Sequence, residues 1–213
     1  MKLTRERIID AGMTTFAETG YHGLSMRRVA ERLGTHAGSL YYHVRSKGEL
    51  LALMADRVCR HAYDAGSDAL AVLPPGATRW EEIEVQAVAL RRSLKQHPGG
   101  ALLLADSPGT LSTGGLSLME RLLGTLLDAG VPAEHCGIAA DTLLSHITGF
   151  VLQEQTEPTA PTVTAETYAD LCARFPLVME QMPRLSQDEK FRRNVRLLCA
   201  AFETLTENER EHS

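Results

Sequence analysis

Apolar residues in this chain recur three and four positions apart, in runs opened by serine or threonine and closed by glycine or proline. That rhythm admits helices and little else. Ile8, Ile9, Gly12, Phe16 and Ala17 follow Thr4, whose hydroxyl can cap a first turn, and Gly20 supplies a left-handed stop, so a helix is predicted over 4–19. Ser25 opens a second helix with Met26, Val29, Ala30 and Leu33 inward, and Gly34 ends it. A third short helix starts around His36 and turns Leu40 and Val44 inward. Ser46 caps a longer fourth, carrying Leu50, Leu51, Leu53, Met54 and Val58 as far as Gly66.

The Leu73-Pro74-Pro75-Gly76 break closes this first section. Beyond it, Thr78-Arg79-Trp80-Glu81 reads as a capping box, in which hydroxyl and carboxylate each satisfy a free backbone N–H, and a helix to about Gln96 follows. Further helices are predicted over 101–106, 115–129, 133–155 and 164–181. A last one opens at a second capping box, Ser186-Gln187-Asp188-Glu189, and puts Phe191, Val195, Leu198, Phe202 and Leu205 on one stripe. Side-chain choice agrees. Thirty leucines stand against 11 valines and 5 isoleucines, and γ-branched side chains keep more rotamer freedom in a helix than β-branched ones. The expectation is an all-α protein of about nine helices.

Several classes of function are disfavoured. Apolar runs such as Leu50 to Ala55 and Ala101 to Ala105 reach only six and five residues, far short of the roughly 18 residues of a membrane span. The segment Met1-Lys2-Leu3-Thr4-Arg5 turns polar at once, unlike a signal peptide, so no membrane partner and a cytoplasmic location are expected. Cys59, Cys136, Cys172 and Cys199 form no C-x-x-C pair, and His61, His97, His135 and His146 have no ligand spacing, so neither metal nor cofactor is expected. Ser145-His146, Asp141 and Glu154 make the one cluster tempting for an enzyme. No nucleophile elbow, phosphate loop or paired-carboxylate motif supports it, and the chain is read as a non-enzyme.

Charge is uneven. Residues 1–50 carry eight Lys and Arg against five Asp and Glu, a balance of +3, whereas the remaining 163 balance at −8. A basic head on an acidic body suggests that only the head meets a polyanion. Within the head, Thr35, Ala37, Gly38 and Ser39 are small residues at the start of the third helix, so that end could approach base edges closely. Tyr41, Tyr42, His43 and Lys47 follow with phenol, imidazole and ammonium donors suited to phosphate oxygens, and Arg27 and Arg28 offer more from the second helix. Taken singly, each of these residues is better read as packing or as a solvated face; the spacing of the whole set is what favours DNA contact.

The run Leu24-Ser25-Met26-Arg27-Arg28-Val29-Ala30-Glu31-Arg32-Leu33-Gly34, with Gly38-Ser39-Leu40-Tyr41-Tyr42-His43-Val44-Arg45-Ser46-Lys47-Gly48-Glu49-Leu50, resembles the TetR family of bacterial transcriptional regulators. The resemblance implies an N-terminal three-helix helix-turn-helix DNA-binding domain over 1–47. It is joined to a larger helical ligand-binding and dimerisation domain over 48–213. It assigns base contacts to His36, Ala37 and Ser39, with Arg27 in reach. Phosphate contacts fall to Ser25, Tyr41, Tyr42, His43 and Lys47, with Arg28 beside them.

The stretch from Ser145 to Gln155 further resembles the tetracycline-repressor subclass, placing Glu154 on an acidic position that helps hold hydrated magnesium there. The subclass's metal-binding histidine aligns with Leu103, and a pocket histidine with Tyr63, so a magnesium–tetracycline chelate is not the expected inducer. An apolar or aromatic molecule is. Tyr63, Trp80, Leu103, Met119, His146, Phe150, Glu154 and Phe175 are the candidate pocket residues. By the same resemblance, the helices at 133–155 and 186–206 pair two chains as a four-helix bundle. The expected partners are therefore a double-stranded DNA operator, a small-molecule inducer and a second copy. The rival readings are a helical ligand-binding enzyme and a protein-interaction adaptor.

Overall fold

The computed structural model describes residues 2–106, 112–155, 164–181 and 185–210. Among the described residues there are eleven helices and no strand: α1 (Arg5–Gly23), α2 (Met26–Arg32), α3 (Ala37–Leu40), α4 (Lys47–Ala71), α5 (Arg79–Gln96), α6 (Gly100–Asp106), α7 (Thr113–Asp128), α8 (Ala133–Gln155), α9 (Ala165–Arg174), α10 (Pro176–Gln181) and α11 (Gln187–Arg210). No helix among them is long and apolar enough to cross a membrane.

The helix starts follow the hydroxyl caps. Thr4, Ser25, Ser46 and Thr164 accept hydrogen bonds from the backbone N–H groups of Arg7, Arg28, Glu49 and Thr167, and the Thr78–Glu81 box forms in full. The second expected box forms by half. Glu189 N–H donates to Ser186 Oγ at 3.2 Å, but the Glu189 carboxylate turns to Arg193 at 2.8 Å, one turn on. Two expectations are corrected. The count is eleven rather than about nine, in part because the helix expected over 164–181 splits at Phe175. The ring of Pro176 pushes the residue before it out of the helical region, and Phe175 sits at φ −131°, ψ 56°. The fourth helix runs past Gly66 to Ala71, where an interior glycine weakens a helix without ending it.

The core runs unbroken from one end of the molecule to the other. In the head, Ile8, Ile9, Leu24, Val29, Leu40, Val44 and Leu50 are buried together. Helix α4 belongs to this layer and to the next: Leu50 and Met54 pack against Gly12, where an added Cβ would lie 3.0 Å from the Met54 sulfur. The rest of α4 lies on α5 and α7. Helix α5 is central, burying Ile83, Ala87, Leu90 and Leu94. Helix α11 lays Phe191, Val195, Cys199 and Phe202 inward against α5 and α8. By contrast, α9 and α10 bury no residue.

An ion-pair grip and a ring contact help to fasten α1 to the layers below. Arg57 of α4 reaches both Glu6 and Asp10 of α1. Phe16 of α1 lies against the α5–α6 turn at Gly99, which has φ +74° and where a Cβ would come within 2.2 Å of the ring. Only glycine suits both the backbone and the space there.

Candidate nucleic-acid interface and ligand cavity

The turn between α2 and α3 is built by Gly34. At φ +64° it reverses the chain, so that Thr35 N–H donates to Ala30 O at 3.0 Å and Gly34 N–H to Glu31 O at 3.1 Å. This closes the end of α2 in the manner of a Schellman motif. Ala30 is buried under the crossing. Leu40 and Val44, both fully buried, hold α3 from beneath, which leaves the opposite side clear. A Cβ added at Gly38 meets nothing within 4 Å.

On that clear side His36, Tyr41, Tyr42 and His43 are exposed, Tyr42 at 91%, while Ala37 and Ser39 are half-buried. Tyr42 is a large ring with no packing role in the single chain. Arg27 and Arg28 are also exposed; Arg27 pairs with Glu31 at 2.9 Å, and Arg28 donates to Gly23 O at 2.9 Å. Ser25 is engaged as the α2 cap. Lys47 folds back onto α1, its Nζ donating to Tyr21 O at 2.9 Å and lying 4.7 Å from the centre of the Tyr21 ring. Arg45 was not singled out from the sequence. It is exposed beside Tyr42 and His43, and its side chain has no ion pair among the described residues. Its position between the tyrosine pair and the Ser46 cap was the available signal.

In the body, a cavity of about 660 Å³ opens between α4, α6, α7 and α8. Ala52, Ala55 and Cys59 line it from α4, Leu116 and Met119 from α7, and Asp141, Ser145, Thr148 and Gly149 from α8. Burial, aided by the nearby Asp56 carboxylate, pushes the Cys59 thiol up to about 11, so it stays protonated at neutral pH. A second void, between α5, α7 and α8, measures only about 20 Å³, room for about one water. It is closed by Arg121, which donates to Gln86 at 3.1 Å and to Tyr63 O at 2.8 Å, while Gln86 donates to Thr125 at 2.9 Å.

Of the eight pocket candidates, Met119 lines the larger cavity and the other seven line neither space. Tyr63 lies under Arg121, whose guanidinium sits 4.2 Å from its ring centre. Trp80 is half-buried against the core, and Leu103 is fully buried in it. His146 stacks on Phe191 and Phe150 meets it edge-on, with ring centres 5.9 and 5.2 Å away. Burial lowers the His146 imidazole below its ordinary value, and its Nε2 is buried without a hydrogen-bond partner among the described residues. Phe175 is exposed at the corner between α9 and α10.

Glu154 is fully engaged. Arg91 grips both of its oxygens at 2.9 and 2.6 Å, and Lys95 adds a bond of 3.0 Å. Burial pushes this carboxyl up, but the two cations outweigh it and hold the pKa below the ordinary value. The structure therefore does not bring Ser145, His146, Asp141 and Glu154 together. His146 faces Phe191 and Glu154 faces Arg91, whereas Asp141 and Ser145 line the cavity.

Known proteins fit this arrangement. A profile described as bacterial regulatory proteins, tetR family, matches residues 8–54, and one described as tetracyclin repressor-like, C-terminal domain, matches residues 74–203. The chain is 30% identical over 161 residues to the tetracycline repressor protein class D of Escherichia coli, covering 75% of this chain and 69% of that one. It is 36% identical over 129 residues to the HTH-type transcriptional repressor DrrR1 of Streptomyces coeruleorubidus, covering 61% and 45%. Among solved structures, apo ActR from Streptomyces coelicolor aligns with a TM-score of 0.78 at 25% identity, over 98% of this chain and 99% of that one.

Proposed function

The chain belongs to the tetR family of bacterial regulatory proteins, and from that premise we propose that it is a homodimeric repressor released from its operator by a small molecule. Residues 1–47 form the DNA-binding head and 48–213 the ligand-binding and dimerisation body. The observation that carries the reading is the uncovered tip of α3: open space at Gly38, with the 91% exposed Tyr42 and the exposed His36 beside it.

Two such heads, related by a twofold axis, enter successive major grooves about 34 to 36 Å apart. His36, Ala37 and Ser39 face base edges, with Arg27 in reach once it leaves Glu31. Ala37 offers only a methyl contact, as to thymine. Tyr41, Tyr42, His43, Ser25, Arg28 and Lys47 serve phosphates, and Arg45 joins them. Dimerisation uses α8 and α11; on α11, Leu197 stands 70% exposed, as an apolar side chain does when a second copy covers it.

The inducer is a small molecule with an apolar or aromatic body, held between α4, α6, α7 and α8. Relatives of this chain are named tetracycline repressors, but magnesium–tetracycline is not its inducer. Leu103 and Tyr63 cannot supply imidazole ligands, and Glu154 is committed to Arg91 and Lys95. Binding in the cavity moves α4, and with it the spacing of the heads. Ligand and operator then favour different states, with a coupling typically of about 1 to 3 kcal/mol.

Fluorescence anisotropy with duplexes from the DNA flanking its own gene tests this. Tight binding whose affinity falls steeply between about 50 and 200 mM salt is expected. A protein that ignores every duplex at low ionic strength, or that exists solely as single chains, refutes the proposal.

A further inference from the structure

We infer that the cavity between α4, α6, α7 and α8 selects an amphipathic cation, a molecule with an apolar body and one protonated amine whose charge rests on Asp141. This builds on the proposal that the cavity is the inducer site, and adds to it the chemical class of the inducer.

The walls of the cavity differ in character. Helices α4 and α7 contribute Ala52, Ala55, Leu116 and Met119, which offer apolar surface, and the one hydroxyl beside them, Ser112, is engaged as the α7 cap. Helix α8 contributes Asp141, Ser145 and Thr148 at steps of four and three, a single polar strip along one face. Asp141 is the one ionised side chain among the described residues lining the space. The Cys59 thiol, pushed up to about 11, brings no charge at neutral pH.

Asp141 also lacks what neighbouring carboxylates have. Asp56 pairs with Arg60 at 3.0 Å and accepts from Gly114 N–H at 2.7 Å, and Glu154 is gripped by two cations. Asp141 makes no ion pair among the described residues and is exposed, which places its charge at the cavity's mouth.

An anionic ligand entering this space would bring its charge toward a like charge at the mouth. A neutral one would gain only from burial of its body. An ammonium gains that burial and a charge-assisted hydrogen bond to Asp141, with the hydroxyls of Ser145 and Thr148 as further acceptors. Because the carboxylate lies at the mouth, the ammonium remains partly hydrated while its apolar body is buried, so the cost of fully burying an ion is avoided. The net charge of −5 draws cations toward the protein as well.

The test is calorimetric titration of the full chain at pH 7 with 1-naphthylmethylamine, its neutral analogue 1-naphthylmethanol, and 1-naphthoate. The amine should bind about tenfold more tightly than the alcohol, with the carboxylate weakest. Asp141→Asn should bring the amine to the affinity of the alcohol and leave the alcohol unchanged. Gly149→Phe should abolish binding of all three. A Cβ at Gly149 meets nothing within 4 Å, so the ring extends into the cavity without disturbing the helix. Equal affinities for amine and alcohol, or an amine preference that survives Asp141→Asn, overturn the cation inference and leave the cavity as inducer site. Binding of none of the three to the parent chain, or binding undiminished by Gly149→Phe, overturns both.

Discussion

Glutamine at position 154 would keep the shape of the side chain and remove its charge, leaving a buried guanidinium facing an amide. The Arg91 and Glu154 side chains are only 7% and 8% exposed, and the carboxylate accepts three bonds of 2.6 to 3.0 Å from Arg91 and Lys95. Asp188 also pairs with Arg91 at 2.7 Å, but at 76% exposure it screens that charge weakly once Glu154 is neutral. Breaking a buried pair from one side costs about 3 to 5 kcal/mol; the remaining Asp188 contact places Glu154→Gln near the lower end, about 3 kcal/mol. In a chain of this size that is a fall in Tm of about 6 to 12 °C.

Urea unfolding followed by circular dichroism at pH 7 measures it. Because the folded pKa of Glu154 lies below its ordinary 4.5, its contribution is complete above that pH and is lost as pH falls through the lowered value. The gap between parent and variant should therefore narrow in acid. The paired change Arg91→Met with Glu154→Leu should cost less than Glu154→Gln alone, since no buried charge is left unmatched. A Glu154→Gln protein within about 0.5 kcal/mol of the parent at pH 7 would refute the reasoning.

Gly99→Ala should lower stability by about 2 kcal/mol, from the left-handed backbone and the displaced Phe16 ring, and a thermal melt unchanged from the parent would contradict this. Tyr42→Ala should alter stability by no more than about 0.5 kcal/mol yet weaken binding to every duplex tested; unaltered anisotropy curves would remove Tyr42 from the phosphate contacts. Phe191→Ala, at the centre of the His146–Phe150 ring cluster, should cost about 3 to 5 kcal/mol in urea unfolding. Burial, then the His61 and Arg57 charges, hold His97 below its ordinary 6.5, so the unfolded chain takes up the proton first and stability falls as pH drops below 6.5. His97→Gln should flatten that part of a stability profile taken between pH 8 and 5.5, and an unchanged slope would count against it.

Local chemistry was legible in the sequence wherever it acts over one turn. The caps at Thr4, Ser25, Ser46, Thr78 and Thr164 need only a hydroxyl and the backbone three residues on, and Gly34 needs only its own left-handed conformation. The Phe175 split was also written there, in the proline that follows. What the sequence could not show was which helix faces meet. Arg91 and Glu154 are 63 residues apart, and the attraction between them turns Glu154 away from the cavity. The cavity is instead lined by small residues such as Ala52, Ala55 and Gly149, which mark a space by what they leave out. Tyr63, Leu103, His146, Phe150 and Phe175 were assigned to a pocket by resemblance. An analogous position carries a residue's location more faithfully than its orientation, because packing in this chain sets the rotation.

The double grip of Arg57 on Glu6 and Asp10 gives α4 mechanical reach. With 25 residues, α4 is a rod of about 37 Å, held to the first helix at Arg57, with the cavity residues Ala52, Ala55 and Cys59 on either side of that grip. A tilt of about 5° about its far end sweeps the grip at Arg57 through about 2 Å and the Lys47 end, next to the head, through about 3 Å, close to the rise of one base-pair step. A displacement too small to unpack the body is thus enough to shift a reading head out of register.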